Sequence, residues 1–120
     1  MAASDDTPGW LLGVRLLLAS RALFDELHRR LAVAGHDGLR PAHGFVFQAL
    51  GPTGATASEI AERLGVTKQA ARLIVDELAG LGYVERTEDR DDARRRPVRL
   101  TPRGEDALRC SEDAFDDLRD

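Results

Sequence analysis

The chain is 120 residues long, with 42% hydrophobic residues, 32% charged residues and a net charge of −4, which fits one domain with a single modest core. One cysteine, Cys110, and three histidines without paired spacing, His28, His36 and His43, exclude a disulfide framework and leave no Cys-based zinc site, no metal and no cofactor to expect. The longest apolar run starts at Trp10, is broken by Arg15 and follows Asp5 and Asp6 rather than a basic cluster; at about half a membrane span it predicts a soluble cytoplasmic protein with no membrane partner.

With only 5% aromatic residues, the core has to come from Leu, Val, Ile and Ala, which favours helices. The first expected helix covers 10–33. Leu12, Leu16, Leu23, Leu27 and Leu31 recur at helical spacing, and Val14, Leu17, Leu18 and Phe24 widen the apolar face. Such a helix is about 36 Å long, more than a small domain needs to cover its own core. Two readings stay open: a subunit contact, or burial on two sides within one subunit. Gly35, Asp37 and Gly38 break the chain, Pro41 opens a short helix that ends near Leu50, and GPTG at 51–54 is a turn.

Thr56-Ala-Ser-Glu59 has the S/T-x-x-E form of a capping box. Ile60, Ala61 and Leu64 give that helix its inner face, and Gly65 stands where a left-handed residue is needed to end it. Thr67 caps the next helix at once, and Ala71, Ile74, Val75 and Leu78 anchor it until Gly82. Two short helices joined by so tight a turn form a helix-turn-helix. Its second helix projects Thr67, Lys68, Gln69, Arg72 and, at the edge of that face, Asp76 outward.

YVERT at 83–87 and PVRLT at 97–101 read as two strands around a polar, charged tip, a β-hairpin wing. Thr101 and Pro102 start the last helix as N-cap and N1. Its inner side carries Ala107, Leu108, Ser111, Ala114, Phe115 and Leu118, and its other side is nearly all acidic. The fold class expected is mainly α with a small β-hairpin wing, an α+β winged helix-turn-helix. It forms a single domain over 1–120, with the winged part at about 41–101 between terminal helices at 10–33 and 102–118.

Charge is polarised along this order. Residues 56–104 carry ten basic and nine acidic groups, whereas 105–120 carry two basic and seven acidic ones. The acid is therefore gathered at the C-terminal end, while Arg90, Arg94, Arg95, Arg96, Arg99 and Arg103 cluster at the wing. Short polar residues at the start of the second helix suit entry into a major groove. Gln69 has the donor–acceptor pair that suits adenine, Arg72 the fork that suits guanine, and Lys68 meets phosphate or guanine. Wing arginines suit a narrow minor groove, whose negative potential attracts guanidinium. The plainer alternative is a set of solvated surface charges.

The stretch ASEIAERLGVTKQAARLIVDELAGLGYVERTEDRDDARRRPVRLTPRGEDAL resembles the winged helix-turn-helix of the MarR family without gaps. The specific parts are LxxxGYVER after the second helix, the D-x-x-D-x-R wing of Asp89, Asp92 and Arg94, and LTPRG at 100–104. The resemblance covers about 10–118. It implies a homodimeric transcriptional regulator of double-stranded DNA, a repressor, with the terminal helices forming the dimer. It further implies DNA contacts from Thr67, Lys68, Gln69 and Arg72 in the major groove and from Arg90, Arg94, Arg95 and Arg96 on the wing. Asp89 would pair with Arg94 to shape the hairpin. Many members of that family release DNA when a small aromatic ligand binds, and Trp10, Phe24, His28 and His43 are the candidates to line such a pocket, with core or surface placement as the alternative. Three features depart from the family pattern: Ala93 in place of a wing arginine, Leu73 in place of a polar residue, and a short last helix that shifts the dimer contact towards 10–33.

Cys110 reads as a structural cysteine at the edge of the last helix's apolar side. An enzyme is not expected, because there is no Gly-rich phosphate loop, no G-x-S-x-G and no His–carboxylate ligand set. The competing reading is a winged helix used for protein–protein interaction without DNA.

Overall fold

Helix α1, Gly9–Val33, runs for 25 residues, and only its C-terminal third joins the core. Leu27 and Leu31 are buried, whereas Trp10, Leu12, Leu16, Leu17 and Leu18 all lie open. The computed structural model describes residues 7–87 and 95–119. Within these, α1 is followed by α2 (Pro41–Leu50), α3 (Ala57–Leu64), α4 (Lys68–Gly80), β1 (Val84–Arg86), β2 (Val98–Leu100) and α5 (Pro102–Arg119). The two strands pair antiparallel, with Val84 opposite Leu100 and Arg86 opposite Val98. The fold is the mainly helical winged helix-turn-helix that the periodicities predict.

Local chemistry accounts for each boundary. Pro41 occupies the start of α2, where its missing N–H has no partner to lose. Thr56 and Glu59 close the capping box reciprocally: Thr56 Oγ1 accepts from the Glu59 N–H at 3.2 Å, and Glu59 Oε1 accepts from the Thr56 N–H at 3.0 Å. Gly65 ends α3 in the left-handed region, with φ 69° and ψ 33°. Thr67 then caps α4 by accepting from the Ala70 N–H at 3.0 Å.

The core lies where the helix-turn-helix, α2, the wing base and α5 meet. Val46, Leu50, Ile60, Ala71, Val75, Leu78, Tyr83, Val98 and Ala107 are all essentially inaccessible. Ala55, between α2 and α3, adds a bridge to β2, exchanging backbone hydrogen bonds with Val98 at 2.7 and 3.0 Å. Gly54 permits that approach: it sits at φ +84°, and a Cβ there would lie 2.5 Å from the Val98 carbonyl oxygen.

LTPRG at 100–104 forms the joint between wing and last helix. The Thr101 N–H donates to the Tyr83 carbonyl at 3.0 Å, and its hydroxyl donates to the Gly82 carbonyl at 2.6 Å. The same Oγ accepts from the Gly104 N–H at 3.1 Å. Arg103 lies over the Tyr83 ring, 4.6 Å from its centroid. Gly104 is required because a Cβ would stand 2.1 Å from the Tyr83 carbonyl oxygen.

The radius of gyration is 17.6 Å and the extents are 62 × 31 × 21 Å. A compact chain of this length would have a radius of about 14 Å, and the excess comes from the uncovered arm of α1. Burial of α1 on two sides within the subunit is thus excluded among the described residues. Where α1 does pack, it lies on α5, and Arg30 pairs with Asp117 at 3.3 Å. On α1 itself, hydrogen bonds from Arg29, then Arg30, hold the Glu26 carboxyl down to about 2.

Candidate nucleic-acid interface

Burial of Ala71, Val75 and Leu78 fixes one side of α4 in the core and turns the opposite side outward. Thr67, Lys68, Gln69, Arg72, Leu73 and Asp76 are all exposed there. They flank a concave surface that runs from the N-terminal end of α3 across α4 to the base of the wing. Lys68 and Arg72 line it from α4, Arg86 from β1, and Arg96 from the approach to β2, with Thr56 and Ser58 at the α3 end. Among the described residues, Lys68 and Arg72 of the helix thus share one groove with Arg86 and Arg96 at the wing base.

Sequence periodicity places Asp76 at the edge of the outward face but assigns no role to Arg86, its partner in the structure. Its guanidinium donates to Asp76 of α4. The ion pair ties the wing base to the outer face of α4 and neutralises the acid of that face. Strand alternation could have flagged Arg86, since it shares a face with the buried Val84 and stands opposite the buried Val98, where a charge calls for a partner.

Arg95 and Arg96 diverge. Arg96 is exposed in the groove, whereas Arg95 is half-buried and donates to Glu59 Oε1 at 2.5 Å. Of the two arginines expected at the DNA, Arg95 thus also links the wing to the capping box of α3. Glu59 is held below the usual carboxylate range, first by the Thr56 backbone N–H and then by the Thr56 hydroxyl and Arg95. The expected contacts of Arg90 and Arg94, and the Asp89–Arg94 pair, lie outside the described residues.

The four candidates for a ligand pocket separate. Phe24 and His28 do line a cavity of about 110 Å³ between α1, α2 and α5, together with Leu31, Phe45, Phe47 and Phe115. Phe24 and Phe45 meet edge to face, 6.0 Å between centroids. His28 Nδ1 donates to the Phe24 carbonyl at 2.7 Å, which ties the ring to its own helix. Trp10 and His43, the other two candidates, do not line this cavity. Trp10 is exposed near the start of α1, about 21 Å of helix from Phe24. His43 is buried and spends both nitrogens on structure: Nδ1 accepts from the Arg40 N–H and Nε2 donates to Glu77, each at 3.0 Å. That hydrogen bond, and then one from Arg40, lowers the Glu77 pKa.

Comparison with known proteins places these features. The MarR family model matches residues 37–95, which include α2 to β1. Among solved structures, a MepR variant from S. aureus superposes with a TM-score of 0.77 at 18% identity, over 94% of this chain and 80% of that one. A second S. aureus MepR variant, bound to an oligodeoxyribonucleotide, gives 0.70 at 19% identity over 90% and 78% of the two chains. CouR from Rhodococcus jostii RHA1, bound to p-coumaroyl-CoA, gives 0.68 at 24% identity over 97% and 77%. At these identities the likeness is one of fold. No curated protein is significantly similar in sequence.

Proposed function

The chain belongs to the MarR family of winged-helix transcription regulators, and on that basis we propose that it is a homodimeric, sequence-specific binder of double-stranded DNA that represses transcription. The observation that carries this reading is the shared groove of Lys68, Arg72, Arg86 and Arg96. Four cations and one acid, Asp76, which pairs with Arg86, meet there on a helix end anchored from behind by Ala71, Val75 and Leu78. Thr67, Lys68, Gln69 and Arg72 enter the major groove. Leu73 offers an apolar contact of the kind a thymine methyl accepts. Arg96, with Arg90 and Arg94 beside it in sequence, reaches the flanking minor groove, and Arg95 braces the wing on α3.

The exposed Leu12, Leu16, Leu17 and Leu18 of α1 are the surface on which a second copy docks, which sets two recognition helices on one duplex. A small aromatic ligand enters the cavity at Phe24 and His28 and shifts α1 and α5 against α2, releasing DNA. CouR with p-coumaroyl-CoA is a relative of similar fold that holds a small molecule. Protein–protein interaction without DNA is the competing reading, and it predicts no duplex binding even at low salt.

Selection of bound duplexes from a random pool, followed by fluorescence anisotropy, tests the proposal. A two-fold symmetric site is expected. Arg72→Ala should cost about 1–3 kcal/mol there and relax base preference. No enrichment, or an unchanged affinity in Arg72→Ala, would refute it.

A further inference from the structure

Away from the DNA face, His36, Asp106 and Cys110 come together where the loop after α1 meets α5. Each offers one ligand atom, an imidazole nitrogen, a carboxylate oxygen and a thiol sulfur, and all three lie within 4.8 Å of one another. His36 Nε2 is 2.7 Å from Asp106 Oδ2, and Cys110 Sγ is 4.0 Å from the same oxygen. The arrangement was invisible in the sequence because His36 and Asp106 are 70 residues apart.

We propose that these three side chains form a site for a divalent cation of the zinc class, with a fourth position open to water. In a tetrahedral site with Zn–N and Zn–O near 2.1 Å and Zn–S near 2.3 Å, ligand atoms stand roughly 3.4–3.6 Å apart. The His36–Asp106 pair, at 2.7 Å, has to open by about 0.7 Å, and Cys110, 4.0 Å from Asp106 and within 4.8 Å of His36, has to approach them by about 0.4 Å and at most about 1.2 Å respectively. Asp106 and Cys110 are one helical turn apart on α5 and share a face, so a side-chain adjustment suffices. The mixed nitrogen, oxygen and sulfur set suits zinc and its neighbours, not calcium or magnesium, which take oxygen ligands.

The surroundings are those a metal-bound histidine uses. His36 is buried, and its second nitrogen, Nδ1, lies 2.9 Å from the Tyr83 hydroxyl, which in turn accepts from Arg103 at 3.1 Å. Outer partners of this kind fix the ring's orientation and tautomer. On the far side of Asp106, Arg109 lies 3.6 Å from Oδ1, leaving Oδ2 facing His36 and Cys110. On binding, the His36 proton passes from Nε2 to Nδ1, the Tyr83 hydroxyl rotates its own proton away so that its oxygen accepts the new N–H, and the thiol proton of Cys110 leaves to solvent. One dication then faces one carboxylate and one thiolate, a neutral balance. Burial, and then the charges of Asp106 and Asp113, raise the Cys110 pKa in the absence of metal, so binding is accompanied by proton release.

The test is titration of the full chain with Co²⁺ alone, followed by competition with Zn²⁺ against a chromophoric chelator. A thiolate-to-cobalt band in the near ultraviolet and tetrahedral visible bands are expected, with one equivalent bound. Cys110→Ala should abolish the ultraviolet band. Cys110→Ala and Asp106→Asn should each weaken Zn²⁺ at least ~10-fold, the lower end of what losing even an outer partner costs. Circular dichroism confirms that each variant is folded. The absence of a thiolate band in the folded wild type, its persistence in Cys110→Ala, or Zn²⁺ affinities in both variants within about twofold of wild type would overturn the site. DNA enters none of these readouts.

Discussion

Two glycines carry the joints of the wing, and each makes a sharp stability prediction. Gly104 packs its α-carbon against the Tyr83 carbonyl, where an added Cβ would be 2.1 Å away. Gly104→Ala must push α5 off the hairpin and should cost at least about 1–3 kcal/mol, the range of an overpacked core. Gly54→Ala adds a backbone conflict, φ +84°, to an approach of 2.5 Å to backbone, and should cost more than about 1 kcal/mol. Chemical denaturation with an unchanged m-value checks both. Gly51→Ala provides a contrast, since it also has positive φ but no atom within 4 Å; it should be less destabilised than Gly54→Ala. Equal destabilisation would show that the close approach is not the cause. Residue-scale legibility was uneven. Lys68, Gln69 and Arg72 were readable because helix periodicity fixes which side faces out. His43 was not, because its role depends on Glu77, 34 residues away, and no local spacing encodes that pairing.

Elements were legible where local chemistry decides them. The capping box at Thr56, the left-handed Gly65, the Thr67 cap and the Thr101–Pro102 start all stand in the structure as their residue types require. What local pattern could not give is how elements are tied to each other. Arg95 bonds Glu59 and Arg86 bonds Asp76, linking the wing to α3 and α4. Thr56→Ala should therefore lose about 1 kcal/mol as a cap. It should also raise the Glu59 pKa, because the Thr56 side chain is among the groups that lower it.

The same ties set an acid sensitivity. Glu59, Glu77 and Asp106 all have lowered pKa values in the folded chain, from the Thr56 backbone, His43 and His36 respectively. A carboxyl with a depressed folded pKa contributes stability that is complete above its unfolded pKa, near 4. That contribution disappears as pH falls through the folded values. Thermal melts from pH 6 to pH 3 should show the melting temperature falling in the acid part of that range. Glu77→Gln should flatten the fall, and an unchanged profile in that variant would contradict the assignment.

At the scale of the whole molecule, the chain is polarised twice. Cations gather on the face of α4 and the wing base, while acids occupy α5, so a net charge of −4 is compatible with a local positive field. Apolar surface is split likewise, with the buried core under the helix-turn-helix and a bare arm at the start of α1. The sequence revealed that α1 carried more leucine than one core needs; only the fold showed which leucines were left over. Leu16→Glu combined with Leu12→Glu should convert a two-chain species to one chain by sedimentation while leaving the helical signal intact. A mass unchanged from wild type would remove α1 from the interface.

The central claim is that the outer side of α4 and the base of the wing engage one duplex together. Its most direct test is anisotropy titration of a selected duplex across a salt series, with wild type, Arg72→Ala, Arg96→Ala and the double variant. Arg96→Ala should weaken all sequences similarly and reduce the slope of log K against log salt by about 1 for each phosphate it leaves unneutralised. Arg72→Ala should act mainly on the cognate site, and the double variant should show both effects. A duplex affinity that ignores salt, or that survives both substitutions unchanged, would contradict the account.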